Sequence, residues 1–252
     1  MSLAQAKNLM QEMKFKGMLY SVERLIDEAT EKDWSHDEFV NGLLQAEYDY
    51  KKEISIENKI KLSKLRLKPE LEDFDYSVRR NLTKTQVKDL YSLNWLRQGK
   101  PIIMIGSTGV GKTFFAQALG LHACRNNFNS LFMDITTLLE NLTLARASNS
   151  YLRFKEKVSK PELLILDDFG LRKFSSIEAQ DFCEIIEARS INKSTIITTQ
   201  LPFQNWCEVL PDPVIADAII DRLIHGSLIL EIKGETYRKV KASKLDKEKN
   251  LN

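Results

Sequence analysis

The chain is poor in the residues from which disulfide frames and metal centres are built. Cys124, Cys183 and Cys207 are odd in number and far apart, which argues against a disulfide framework or a zinc cluster. They read as buried thiols in a reducing cytosol. His36, His122 and His225 are equally scattered, so no histidine-built metal site is expected. No apolar stretch approaches the roughly 20 residues that span a bilayer. The first residues place Lys7, Lys14 and Lys16 on an amphipathic pattern without an apolar h-region or an A-x-A-like site. No signal peptide and no membrane partner are therefore expected, and the chain is read as cytoplasmic. Internal repeats and low-complexity segments do not occur either.

What is present is a core-forming composition. With 252 residues and 43% hydrophobic content, the chain suits one α/β domain with a smaller appendage. From Pro101 onward, short apolar runs alternate with helical patterns. Strands are predicted at 102–105, 130–134, 163–166, 194–199 and 228–232. Helices are predicted at 112–126, 136–148, 175–191, 203–210 and 214–225, which together imply a parallel sheet flanked by helices. Residues 1–68 read as a helical N-terminal domain, with Gly17 marking a turn and Ser35 with Glu38 opening a helix through a capping box. Pro69 ends that stretch, and 69–100 reads as a linker, with Phe74 and Tyr76 packed on the core, followed by a helix from Thr83 and Gln86 to Gly99. The α/β core spans 101–243, and 244–252 is a charged tail.

The octet Gly106-Ser107-Thr108-Gly109-Val110-Gly111-Lys112-Thr113 matches G-x-x-x-x-G-K-[ST]. It sits between a predicted strand and a helix opening at Phe114, the context this motif requires. Glycines at 106 and 111 let the backbone fold tightly enough for its N–H groups to face phosphates, and the helix N-terminus adds partial positive charge. Lys112 is then expected on β and γ phosphates, and the Thr113 hydroxyl on Mg²⁺.

A second station lies at Asp167-Asp168, which end the apolar run Leu163-Leu164-Ile165-Leu166. Carboxylates at the C-terminal tip of a parallel strand face a ligand bound across the sheet. Asp167 suits Mg²⁺, a hard cation that prefers oxygen, and Asp168 suits a base toward an attacking water. The bland alternative is a pair of acidic residues capping a strand before the turn at Phe169-Gly170.

The net charge of +2 hides an uneven distribution. Lys51, Lys52, Lys59, Lys61, Lys64, Arg66 and Lys68 face only Glu53 and Glu57 between positions 51 and 68. Such a run is either a contact for a phosphate backbone or a solvated helix face. Arg146, Arg153 and Lys155 form a second basic candidate.

With these motifs placed, the chain resembles the ATP-binding proteins of the IstB family, helpers encoded beside certain insertion-sequence transposases. It is more distantly similar to replicative helicase loaders of the DnaC group. The resemblance rests on Leu43–Tyr50, Leu71–Tyr76, the octet, Leu163–Gly170, Thr198–Trp206, Asp212–His225 and Lys233–Lys239. It implies an AAA+ P-loop fold and a DNA-stimulated ATPase, expected to be slow from the short Asp168 carboxylate, that assembles as a homo-oligomer with ATP on double-stranded DNA and assists a transposase. Alternatives are a helicase-loader ATPase and an ATP-gated adaptor with negligible hydrolysis. The resemblance also implies a γ-phosphate sensor at Thr199 and Gln200, where many AAA+ proteins have Asn. Arg222 would be an arginine given to a neighbour's ATP site, and Arg238 lies where a second sensor arginine could sit. Asp168 stands where many AAA+ ATPases have Glu, one methylene further from the water.

Overall fold

The computed structural model describes residues 2–67, 69 and 82–234. The expectations for Phe74, Tyr76, Lys68, Arg238 and the tail 244–252 lie outside the described residues. Two compact units are present, Met1–Asn58 and Lys59–Asn252.

The first unit consists of α1 (Leu3–Glu12), α2 (Lys16–Glu31) and most of α3 (His36–Leu62). Ser35 and Glu38 form the expected box: Glu38 accepts the Ser35 N–H at 2.7 Å, and the Ser35 hydroxyl accepts the Glu38 N–H at 3.3 Å. Gly17 is not a turn residue. It lies in the first turn of α2, where a Cβ would stand 2.4 Å from the Ala46 carbonyl oxygen and 2.6 Å from Glu47 Cα. A close helix crossing, not a chain reversal, demands glycine there. The reversal comes at Lys14, in the left-handed region at φ 60°. At the same joint the buried Glu47 accepts the Met18 N–H at 3.1 Å, capping α2 from a neighbouring helix.

The second unit is a five-stranded parallel sheet. Its strands are β1 (Ile102–Ile105), β2 (Ser130–Asp134), β3 (Leu163–Phe169), β4 (Ser194–Thr199) and β5 (Leu228–Glu231), in spatial order β2-β3-β4-β1-β5. Odd and even residues face opposite cores. Ile103, Leu131, Met133, Leu164, Leu166 and Ile197 pack under α7 (Ile135–Ala147), α8 (Tyr151–Ser159), α9 (Ser176–Arg189) and α10 (Pro213–Ile224). Ile102, Met104, Phe132, Leu163, Ile165 and Ile196 pack under α4 (Lys84–Tyr91), α5 (Asn94–Arg97) and α6 (Lys112–Arg125). Coverage on both faces explains the unbroken apolar runs of the strands.

Three further departures from the sequence reading concern a helix break, an added helix and the cysteines. The helix expected from Thr83 to Gly99 breaks at Leu93, which is 1% exposed with φ 54°. Seating Leu93, Trp95 and Leu96 in one core overrides helical continuity, and the Trp95 indole N–H donates to the Leu90 carbonyl at 2.9 Å across the break. Helix α8 was not anticipated, although Tyr151, Phe154 and Val158 at helical spacing seat it. The cysteines differ among themselves: Cys124 is buried, Cys183 half-buried and Cys207 exposed, all three as free thiols.

At the sheet end remote from the strand tips, Arg189 is 1% exposed. It donates to carbonyls of Ser159 (3.2 Å), Pro161 (2.7 Å) and Ser194, and to the Thr195 hydroxyl at 3.0 Å. One guanidinium thus fastens the end of α8 to the starts of β3 and β4. Arg189→Met fills similar volume but orphans these buried oxygens. A loss of about 3 kcal/mol is expected, read from the urea midpoint, and Arg189→Lys should recover little because an ammonium cannot span the fork.

Candidate functional site

The C-terminal ends of β1, β3 and β4 meet at a cleft of about 500 Å³ lined by Thr108, Gly109, Gly111, Lys112, Thr113, Phe114, Asp167, Asp168 and Gln200, with Leu67 as a further wall. The two sequence stations, some 55 residues apart, therefore share one cavity.

The glycine-rich loop has the backbone it needs. Gly109 (φ 82°) and Gly111 (φ 100°) occupy the left-handed region, and Gly111 is the N-cap of α6. Gly106 is required for another reason: a Cβ there would lie 2.2 Å from the Ile232 carbonyl oxygen. Val110 turns inward and is buried in the core, so its side chain anchors the loop and does not line the cleft. Lys112, 5% exposed, donates to the carbonyls of Gly106 (2.7 Å) and Ser107 (2.9 Å). Burial pushes its ammonium below the usual lysine range, with Asp168 and Asp167 opposing the shift.

Opposite, Asp167 is 4% exposed. Its Oδ1 accepts from the Thr113 hydroxyl at 2.9 Å and from the Thr198 hydroxyl. Burial holds the Asp167 carboxyl above the usual range, while the Thr198 and Thr113 hydrogen bonds pull it down and the neighbouring Asp168 charge adds to the rise. Strand alternation alone would send Asp167 and Asp168 to opposite faces. The β3–β4 register shifts between Leu166 and Phe169, and Asp168 takes φ 59°. That irregularity brings both carboxylates to the same cleft. The conformation costs about 1–3 kcal/mol and persists because the Asp168 N–H donates to the Thr198 hydroxyl at 3.1 Å.

Thr198 is thus a site residue that the sequence reading missed. The expectation of a sensor at Thr199 and Gln200 divides: Gln200 lines the cleft, whereas Thr199 is buried and structural. Its hydroxyl donates to the Phe169 carbonyl at 2.8 Å and accepts the Leu201 N–H at 2.9 Å. The signal for Thr198 was the period of two, which gives adjacent threonines opposite duties. Leu67 had no sequence signal at all.

The donor set fits a polyphosphate with a hard cation. Two left-handed glycines, a helix N-terminus and an ammonium face one cavity, and the hydroxyl of Thr113 lies against the carboxylate of Asp167 as an all-oxygen pair.

The remaining candidates lie elsewhere. Arg222 on α10 donates to the Ala218 carbonyl at 3.0 Å and pairs with Glu187 at 3.2 Å. Lys51 pairs with Glu47 at 3.2 Å and lies 5.1 Å over the Phe15 ring. Arg66 pairs with Asp134 and lies 5.4 Å over Phe132. Arg146 is committed to the buried Asp181 at 2.9 Å and stacks 4.2 Å from the Tyr151 ring centre. Lys52, Lys61, Lys64 and Arg153 are exposed, and Lys59 is half-buried. No described helix is long and apolar enough to cross a membrane.

Comparison with known proteins agrees with this geometry. The family model for IstB-like ATP binding proteins matches residues 8–245. An insertion-sequence ATP-binding protein of Sinorhizobium fredii is 34% identical over 227 residues, covering 90% of this chain and 93% of its own. The crystal structure of the DnaC helicase loader superposes with a TM-score of 0.51 at 23% identity, over 60% of this chain and 92% of that one. The replication initiator DnaA, solved with AMPPCP and single-stranded DNA, gives 0.58 at 20% identity over 73% and 56% of the two chains. These structures share the P-loop AAA+ fold. Matched along nearly its whole length and carrying the phosphate cradle and strand-tip carboxylates, the chain belongs to the family of IstB-like ATP-binding proteins.

Proposed function

We propose that this protein binds ATP with Mg²⁺ in the cleft, hydrolyses it slowly, assembles as a homo-oligomer on double-stranded DNA and assists a transposase. The observation that carries the nucleotide part is the convergence of Lys112, Thr113, Asp167 and Asp168 on one cavity. The insertion-sequence relatives, matched over nine-tenths of the chain, favour the transposition role. The helicase-loader alternative rests on fold alone.

Lys112 exchanges its two carbonyl partners for phosphate oxygens, and its burial strengthens that attraction. Thr113 and Asp167 would hold Mg²⁺, which would offset charge on the β and γ oxygens. Asp168, fixed in its unusual conformation by Thr198, accepts the proton of the attacking water, and Gln200 orients the γ end. Arg222 leaves Glu187 to reach the ATP site of a neighbouring subunit, which is cheap because an exposed pair is worth only about 0–1 kcal/mol. Lys52, Lys59, Lys61, Lys64 and Arg153 contact the DNA backbone, while Lys51, Arg66 and Arg146 assist from their ion pairs. Arg238 is a candidate second sensor.

A steady-state ATPase assay with and without DNA tests the enzyme. Asp168→Asn should retain ATP and lose turnover by at least about 10²-fold, whereas Lys112→Ala should lose ATP itself. Arg222→Ala should bind ATP, hydrolyse it poorly and regain activity when mixed with Asp168→Asn. Normal turnover in Asp168→Asn would place the base elsewhere.

The raised Asp167 carboxyl has a consequence for stability. The folded protein holds that proton more tightly than the unfolded chain, so stability falls as pH rises from the ordinary carboxylate range through the raised value. Asp167→Asn keeps the hydrogen-bond acceptor without the charge. In nucleotide-free buffer at pH 7.5 its melting temperature should exceed that of wild type, and the gap should close toward pH 4. A lower melting temperature at pH 7.5 would contradict this, and Mg²⁺-dependent ATP affinity should weaken throughout.

DNA binding is expected to be sequence-tolerant and steeply salt-dependent, because each phosphate contact releases condensed counterions. Replacing Lys59, Lys61 and Lys64 by Glu should weaken duplex binding by a similar factor for unrelated sequences, measured by fluorescence anisotropy. Unchanged affinity would reduce the basic run to a solvated face.

A further inference from the structure

One wall of the cleft comes from a segment with no recognised motif. Residues 63–67 leave the end of α3 and run beside β2, an edge strand of the sheet. The Ser63 carbonyl accepts the Phe132 N–H at 2.7 Å, and Lys64, at φ 56°, turns the chain. Leu65 packs on α6 at Gly120, where a Cβ would meet its Cδ2 at 3.1 Å. The next two residues are held by a single side chain. Gln117 Oε1 accepts the N–H of Arg66 at 2.8 Å and of Leu67 at 2.9 Å. Gln117 is 1% exposed, so the accepting oxygen is buried, and the two hydrogen bonds are partly buried. Leu67 then stands in the cleft wall, exposed, and with Phe114 provides its large apolar side chains.

A buried amide oxygen on α6 has no role in the phosphate cradle, yet it serves two consecutive backbone donors of a different segment. Without it, both N–H groups lose their acceptor, and each neutral hydrogen bond lost from a partly buried place costs about 1 kcal/mol. The segment would shift to reach water, and Leu67 would go with it. Gln117 lies five residues after Lys112 on the helix whose N-terminus faces the phosphates. The apolar wall and the phosphate cradle are therefore mounted on one rigid element.

We propose that Gln117 is a positioning residue for nucleotide retention: by holding the backbone of Arg66 and Leu67, it fixes Leu67 as the wall that closes the cleft on a bound nucleoside triphosphate. This rests on the triphosphate reading of the cleft. Coupling of this kind is reciprocal, so bound nucleotide also steadies residues 63–67.

The test uses the full chain, Mg²⁺ and a fluorescent ATP analogue, with Lys112→Ala as the non-binding control. Gln117→Met keeps the volume and removes the acceptor. It should weaken affinity about five- to tenfold through faster release, within the range of two lost neutral hydrogen bonds. Leu67→Ala should weaken it comparably. The double variant should be no worse than the weaker single, because both changes remove the same wall. Hydrogen exchange of the Arg66 and Leu67 amides should slow when MgATP is added to the wild type. Wild-type affinity in folded Gln117→Met, or losses that multiply in the double variant, would overturn the proposal. Should Gln117→Met fail to fold, unchanged affinity in Leu67→Ala together with unchanged amide exchange would overturn it equally. Failure of the wild type to bind better than Lys112→Ala would remove the triphosphate reading itself, and this proposal with it.

Discussion

A parallel sheet covered on both faces offers polar chemistry only at its ends, and that constraint organises the second unit. The strands are apolar because each side chain along their middle meets one of two cores. Charged groups are admitted where the strands stop. At the C-terminal tips, Lys112, Asp167 and Asp168 gather: burial shifts the first two, the Thr198 and Thr113 hydroxyls oppose the shift at Asp167, and Asp168 takes a left-handed backbone held by Thr198. At the other end Arg189 is accommodated because carbonyls from α8, β3 and β4 converge on its fork.

The tip cluster depends on one hydroxyl more than on any carboxylate. Thr198 donates to Asp167 and accepts from the Asp168 backbone, so it settles the buried charge and the left-handed residue together. A serine would offer the same oxygen, but the β-branched side chain is stiff at χ1 and suits a buried central strand. The cluster is an unstable arrangement kept in place by its surroundings, as expected of a site built to receive a charged ligand rather than to maximise stability.

Short-range signals carried much of this to the surface of the sequence. The capping box at Ser35 forms as read, since a side chain three residues away decides it, and Thr83 and Ser175 open their helices in the same way. The five strands appear where apolar runs of β-branched and leucine residues stand, and the octet makes its turn because glycine alone tolerates φ of 82° and 100°. Where the expectation failed, contacts distant in sequence were in control. Leu93 breaks a helix to fill a core, and Gly17 serves a crossing with α3 residues about 30 positions later.

The sequence by itself made the five strands, the P-loop and the strand-tip carboxylates legible, because periodicity, capping and glycine conformations are local properties of the chain. It marked Lys112 and Asp168 as site residues through motif and position alone. Long-range packing set the rest: Asp168 turns into the cleft through a bulge, Thr198 rather than Thr199 bonds the Asp167 carboxylate and the Asp168 backbone, and Leu67 lines the cleft with its N–H on Gln117. Those outcomes depend on which strand lies beside which and on which buried donor lacks an acceptor. Neither is fixed until residues fifty positions apart have been packed together.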